Sequence, residues 1–323
     1  MTAPTPGPPA WHALVDLASP TEERNPASMH LDTLDAPSLV DLILAEDARV
    51  AVAVQAQASA IARLVDVCVA AIDRGATVHY VGAGTSGRLG VLDAVELAPT
   101  YHATEDMVCA HLAGGPAAMT GAVEGAEDDE GAGAALVAAC EDGDVVIGLA
   151  ASGRTPYVGG ALRAARGRGL ATALIAANPR APLAADADLA ILLDVGPEVV
   201  TGSTRMKAAT AQKMTLNALS TATMVRLGTT YENLMIDVSP TNDKLLARTV
   251  RMLVQATGAS AGTAAATLEE AGGSVRVALV ALLSGADVER AREAAAAARP
   301  DPGRRGDPAG IRTAVARLTE DRS

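Results

Sequence analysis

The sequence has no phenylalanine, one tryptophan and four tyrosines, so aromatic residues make up 2% of its 323 positions. That density leaves little stacking surface for nucleobases. The core must therefore be built from Ala, Val, Leu, Ile and Met, which dominate the 49% hydrophobic fraction. Positive charge is also scarce: 26 Lys and Arg stand against 38 Asp and Glu, a formal net charge of −12. Nucleic-acid binding leans on a dense basic footprint, so no nucleic acid is expected as a partner. Three cysteines, Cys68, Cys109 and Cys140, are odd in number and lack Cys-x-x-Cys spacing, which argues against a disulfide framework or a zinc knuckle. The five histidines are scattered, and His79 and His111 fall in strand-like runs as core or edge residues. With no His, Cys and carboxylate set at ligand spacing, neither a metal nor a cofactor is expected. No apolar run approaches the roughly 18 residues of a membrane span. Met1 to Ala10 is proline-rich, without a basic or an apolar stretch, so neither a signal peptide nor a membrane partner is expected and the simple reading is a cytoplasmic protein.

What the chain does have is a loop that occurs twice. Val81-Gly82-Ala83-Gly84-Thr85-Ser86-Gly87-Arg88 follows a β-like run and opens onto a helical pattern; Ala150-Ala151-Ser152-Gly153-Arg154-Thr155 does the same. Each copy reads strand, small-residue turn, hydroxyl, Gly-Arg, helix. Such a turn aims backbone N–H groups and hydroxyls at a helix N-terminus, where an anion is favoured. The first copy also resembles a dinucleotide-binding glycine loop, but no acidic residue stands about 20 positions further on, where a ribose would need it. The second copy also reads as a helix cap, with Ser152 or Thr155 ahead of Pro156 at the first helical position. A third segment, Gly196 to Lys207, crowds hydroxyls, Arg205 and Lys207 ahead of another helix, and reads either as an anion site or as a capped helix start.

Around these loops the apolar rhythm alternates. Strand-like runs are 77–81, 107–112, 145–149, 171–175 and 189–193; helical stretches are 88–97, 117–125, 132–140 and 156–166. Short apolar strands between helices imply a parallel sheet covered on both faces. A loose tail is expected over residues 1–20, one long Ala/Val-rich helix over 46–73, and another over 205–226. Beyond 242 the strands stop, and residues 249–298 read as short helices broken by Gly258, Gly272-Gly273 and Gly285, with one last weak helix after Pro300. Two carboxylates stand out beside the loops. Glu96 is flanked by Val95, Leu97 and Ala98, where desolvation would favour an acid role, and Glu127 lies in the acidic word Glu124 to Asp129. Periodicity alone leaves both open as surface residues.

Taken together, Tyr80 to Arg88, Asp144 to Tyr157 and Val199 to Lys213 resemble a sugar isomerase (SIS) domain. Longer words, among them Ala122-Val123-Glu124-Gly125-Ala126-Glu127-Asp128, Val199 to Ala208 and Asn233 to Val238, are similar to the N-acetylmuramic acid 6-phosphate etherase family over about residues 21–298. The resemblance implies an α/β, doubly wound parallel sheet of the SIS type with a small C-terminal helical domain. The division it implies is an N-terminal arm with a helix (1–45), a phosphosugar-binding catalytic domain (46–245) and a helical domain with tail (246–323). It implies cleavage of the D-lactyl ether of N-acetylmuramic acid 6-phosphate by a homodimer, yielding N-acetylglucosamine 6-phosphate and D-lactate. Glu96 would be the acid on the departing lactate oxygen and Glu127 the base at C2. Gly84, Thr85, Ser86, Gly87, Ser152, Gly153, Arg154, Thr155 and Ser203 would hold the phosphorylated amino sugar, with Glu198 and Lys207 as further sugar contacts. Two other readings use the same loops: a non-catalytic phosphosugar sensor, and a hexosamine-phosphate isomerase. The word from Glu124 to Asp128 favours the etherase.

Overall fold

The computed structural model describes residues 19–104, 106–237 and 243–320. Of the tail expected over residues 1–20, only Ser19 and Pro20 are described, and there Ser19 is buried with its hydroxyl against that of Thr21. The first helix, α1 (Ala36–Asp47), starts on Asp35, whose carboxylate accepts from the Ser38 N–H. The single helix expected over 46–73 is instead α1, then α2 (Val50–Gln55) and α3 (Ala58–Asp73), with a bend of 58° before α3. No glycine or proline marks that break. The bend lets Val50 and Val54 join the same core as Ile61, Leu64, Val65 and Cys68.

Five strands form one parallel sheet: β1 (Val78–Gly82), β2 (Val108–Leu112), β3 (Val145–Leu149), β4 (Ala171–Ala176) and β5 (Leu189–Leu192), in the order β2-β1-β3-β4-β5. Side chains alternate between its two faces. Val78, Tyr80, Ile147 and Ile175 pack with α3, α4 (Gly84–Tyr101) and α7 (Lys207–Arg226) on one face. Val81, Val146 and Leu174 pack with α5 (Glu130–Leu136) and α6 (Pro156–Gly167) on the other. The sheet is thus doubly wound, as the strand pattern implied. On the second face α5 and α6 meet backbone to backbone. A Cβ on Gly133 would fall on the Tyr157 carbonyl, and one on Gly160 on the Glu130 carbonyl, so no residue but glycine fits that spacing.

The stretch expected as a helix over 117–125 is not one: a 3₁₀ turn covers Gly115–Met119 and irregular chain follows. Arg88 explains this. Its guanidinium takes the carbonyls of Ala118 (2.9 Å) and Gly121 (2.8 Å), acceptors that a helix would need for its own ladder. A short hairpin of β6 (Thr230–Tyr231) and β7 (Leu234–Met235), which the apolar pattern did not disclose, leads to the C-terminal helices. These are α8 (Asp243–Thr257), α9 (Ala261–Glu270), α10 (Val275–Ser284), α11 (Val288–Ala297) and α12 (Ile311–Glu320). They enclose their own apolar cluster of Leu253, Leu268, Leu279, Ala291, Ile311 and Leu318. Among the described residues no single helix is long and apolar enough to cross a membrane.

The start of α7 rests on a buried ion pair. The side chain of Lys207 is 1% exposed, and its Nζ donates to Glu46 Oε2 at 2.6 Å. Asn25 Nδ2 donates to the same oxygen at 2.8 Å. Burial opposes ionisation of Glu46, but the bonds from Lys207 and Asn25 outweigh it and hold the carboxyl below its usual 4.5. Because the folded value lies below the unfolded one, the pair stabilises fully above about pH 4.5 and ceases to as the pH falls through the folded value. Glu46→Gln strands a buried ammonium and is expected to cost about 3–5 kcal/mol in urea unfolding at neutral pH. The gap between wild type and variant should narrow below pH 4.5, and a gap unchanged by pH would contradict this account.

Candidate functional site

In the strand order β2-β1-β3-β4-β5, successive connections from β1 wind to opposite sides. A crevice therefore opens at the carboxyl ends of β1 and β3, the place where open α/β sheets take ligands. Both repeated loops end there. Gly82 closes β1 and α4 begins two residues later, pressed onto the strand: a Cβ on Gly82 would lie 2.8 Å from Gly87 Cα. Ala83 offers no side-chain cap, and the first-turn N–H groups of Gly84, Thr85 and Ser86 have no partner among the described residues. That is an open positive helix end. The Thr85 hydroxyl is likewise unbonded among the described residues. Ser86 is not available in the same way: it is buried, and its Oγ donates to Gln212 Oε1 at 2.8 Å. Gly87 is buried beneath it.

The second loop repeats the arrangement on β3. Thr155 stands at the N-cap of α6 without a side-chain bond, and Pro156 follows at the first helical position. The hydroxyls of Ser152 and Thr155 make no hydrogen bond among the described residues. Gly153 holds the loop rather than offering its amide, since its N–H goes to the Ala150 carbonyl at 3.0 Å. Asn178 Nδ2 pins the Ser152 carbonyl at 3.0 Å. Arg154 is half-buried, its Nε is shielded from solvent without a hydrogen-bond partner, and no carboxylate pairs with it among the described residues. A cation left in that state beside an open helix end is matched to an anion.

The third segment behaves differently at Glu198 and Lys207, the two residues expected as further sugar contacts. Glu198 is fully buried, and its carboxylate accepts from the N–H groups of Lys207 (3.0 Å) and Ala208 (2.9 Å). Burial pushes its carboxyl above the usual range, against the pull of those two amides. The helix start that seemed fit for an external anion already holds an internal one. Lys207 is committed to Glu46. Ser203, half-buried, keeps a hydroxyl that is unbonded among the described residues.

The two glutamates stand apart. Glu127 lies in a 3₁₀ turn, Ala126–Asp128, and lines a cavity of about 270 Å³ with Gly84, Thr85, Arg88 and Glu124. Arg88 fixes that wall through the two carbonyls described above. Glu96 lines a different groove of about 290 Å³ between α4 and α7, with Asp93, Lys213 and Asn217. Along α4 it is about 16 Å from Thr85, at about 1.5 Å per residue. Both glutamates are exposed. The apolar enclosure expected around Glu96 is therefore absent from the single chain: Leu97 turns inward while Val95 is 63% exposed. Asp93 and Lys213 were missed by sequence reasoning. Asp93 accepts from Ser220 Oγ (3.0 Å) and Tyr80 OH (3.2 Å), and burial raises its carboxyl's pKa. Its position one helical turn before Glu96 was the available signal. His79 and His111 lie in strands β1 and β2, as expected, with His79 buried and His111 on the edge strand. Parallel pairing of β1 with β2 sets His79 opposite Cys109 and gathers His79, Cys109 and His111 into one cluster.

A doubly wound sheet whose switch-point crevice carries two open, hydroxyl-lined helix ends is a SIS domain. The SIS domain model matches residues 118–222, and the model of the glucokinase regulatory protein N-terminal SIS domain matches residues 60–166. Full-length relatives are more specific. An N-acetylmuramic acid 6-phosphate etherase of Symbiobacterium thermophilum is 53% identical over 266 residues, covering 82% of this chain and 89% of that one. Those of Cutibacterium acnes and Serratia proteamaculans are each 50% identical, covering 87% and 84% of this chain and 92% and 93% of theirs. The chain belongs to the N-acetylmuramic acid 6-phosphate etherase family.

The loop geometry separates two neighbouring hydroxyls. Ser86→Ala leaves Gln212 Oε1 buried and unpaired, and is expected to lower unfolding free energy by about 1–3 kcal/mol. Thr85→Val, removing a hydroxyl with no internal partner, should stay within about 0.5 kcal/mol of wild type. Urea titration of both variants checks the contrast.

Proposed function

We propose that this protein cleaves the D-lactyl ether of N-acetylmuramic acid 6-phosphate by elimination and hydration, releasing D-lactate and N-acetylglucosamine 6-phosphate in the recycling of cell-wall amino sugar. The observation that carries the reading is family membership at half identity over about nine-tenths of each relative, joined to two helix ends left open for an anion. The phosphate sits between the starts of α4 and α6, held by their N–H groups, by the hydroxyls of Thr85, Ser152 and Thr155, and by Arg154; Ser203 reaches the sugar. Opening of the pyranose exposes an aldehyde, which acidifies the C2 proton. Glu127, on the wall of the Thr85 cavity, removes it. Glu96 protonates the lactate oxygen leaving C3, and water then adds to the unsaturated intermediate. Positioned proton transfers of this kind contribute about 10²–10⁴-fold each.

C2 and C3 are adjacent atoms, whereas one chain sets Glu96 about 16 Å along α4 from the Thr85 loop. We therefore read the enzyme as a homodimer in which Glu96 of one protomer completes the loop site of the other. Leu92 and Val95 support this: they are 49% and 63% exposed beside Glu96, and exposed apolar side chains grouped in this way suit a protein contact. A cytoplasmic location accords with a phosphorylated substrate and with three free cysteines.

Incubation with N-acetylmuramic acid 6-phosphate should release D-lactate and place labelled solvent oxygen at C3 of the product; folded protein that releases none overturns the activity. Glu96→Gln should block lactate loss yet permit C2 proton exchange, while Glu127→Gln slows the exchange itself, each by about 10²-fold or more. Mixing the two inactive variants after subunit exchange should restore turnover, and a mixture as inactive as its parts would refute the shared site. Arg154→Gln should raise KM by about 10–100-fold, the worth of a charge-assisted hydrogen bond, without lowering Tm.

A further inference from the structure

On the face of β1 and β2 that carries Val81, three donor atoms converge. His79 Nδ1 is 2.9 Å from Cys109 Sγ and 3.0 Å from His111 Nε2, and those two are 3.3 Å apart. The sheet register produces this: His79 lies opposite Cys109, and His111 follows two residues along the same face. The other nitrogen of His79 is already assigned, because Nε2 lies 3.0 Å from Asp144 Oδ2. Asp144 is itself fixed by the N–H groups of Thr77 (2.8 Å) and Glu141 (2.7 Å). With Nε2–H donated to a carboxylate, the Nδ1 lone pair faces the centre of the trio, the orientation found in metal-bound histidines. Hydrogen bonds can join these atoms pairwise, through the Cys109 thiol proton and a proton on His111 Nε2, whereas one cation at the centre serves all three donors at once.

We propose that His79 Nδ1, Cys109 Sγ and His111 Nε2 form a site for one zinc-class divalent cation, with Asp144 orienting His79 and the fourth position open to water. Two imidazoles and a thiolate are a donor set suited to zinc, and three protein ligands with an open fourth position give a tetrahedral site. Zinc bonds of about 2.0–2.3 Å put tetrahedral donor atoms about 3.3–3.6 Å apart, so the trio need open by about 0.3–0.7 Å. Cys109 and His111 are half-buried, which provides entry from solvent at the sheet edge. The site is distinct from the acid–base pair assigned above. It lies one pleat below Ala113, a wall of the Thr85 cavity, where a cation would tie edge strand β2 to β1.

The test uses the full chain, stripped with chelator and dialysed. Titration against a chromophoric zinc chelator should show one tightly bound equivalent. Cobalt(II) in its place should give tetrahedral visible bands and a thiolate charge-transfer band. Cys109→Ser should abolish that band. His111→Gln should weaken zinc binding by more than the about 10–100-fold that loss of an outer partner costs. Cys68→Ser, on the opposite face of the sheet, should change neither. In unmutated protein, zinc should protect Cys109 from alkylation, read by peptide mass, which holds the test open if Cys109→Ser fails to fold. No zinc taken up in competition with the chromophoric chelator, a charge-transfer band that survives Cys109→Ser, or unaltered alkylation of Cys109 in the presence of zinc would each overturn the site.

Discussion

An ammonium with no route to water must be neutralised where it lies, and the buried Lys207 imposes that requirement on much of this fold. Its partner Glu46 ends α1, and Glu46 is in turn held by Asn25 from the N-terminal arm. One residue carries both halves of the joint, because the backbone N–H of the same Lys207 is capped by Glu198. Arm, first helix, post-β5 segment and longest helix therefore meet at a single point. The cost of separating charges there sets the register of α7, which supplies Gln212 to Ser86 and Lys213 to the Glu96 groove.

That joint also divides the three hydroxyl-rich segments by function. A helix N-terminus attracts negative charge from whatever source is nearest. At α7 the source is Glu198, inside the protein; at α4 and α6 no side chain intervenes, and the field is left for a ligand. Binding specificity for a phosphorylated molecule thus arises as much from where the chain withholds a carboxylate as from where it supplies hydroxyls. With an acidic chain of net charge −12, these two local openings and Arg154 must overcome an unfavourable overall field.

The strands and most helices were legible because short apolar runs between turn signals allow few other arrangements, and all five strand-like runs became strands of the sheet. What could not be read was decided by contacts distant in sequence. The unbroken Ala/Val pattern over 46–73 carries no sign of its bend, which is set by sharing one core. Residues 117–125 have helical spacing, but Arg88 competes for their carbonyls. Glu198 and Lys207 looked like free polar groups until the arm closed over them. The His79 trio was hidden for the same reason, since its members lie 30 and 32 residues apart in sequence. Glu96 and Glu127 stand out in the sequence through the words they lie in, but the distance of Glu96 from the Thr85 loop follows only from seeing that Gly84 to Tyr101 is one continuous helix.

The glycine contact between α5 and α6 bears on how this site can vary. α5 follows directly from the turn that carries Glu127, and α6 grows directly out of the Ser152–Thr155 loop. Because the two helices touch through carbonyl and Cα atoms, there is no side chain at the junction to swell, shrink or repack. The wall that carries Glu127 and the Ser152–Thr155 loop consequently form one rigid unit, and a displacement of either carries the other with it. Adjustment of reach toward a longer or shorter substrate is thereby left to the opposite rim, where α4 and its exposed apolar residues face outward.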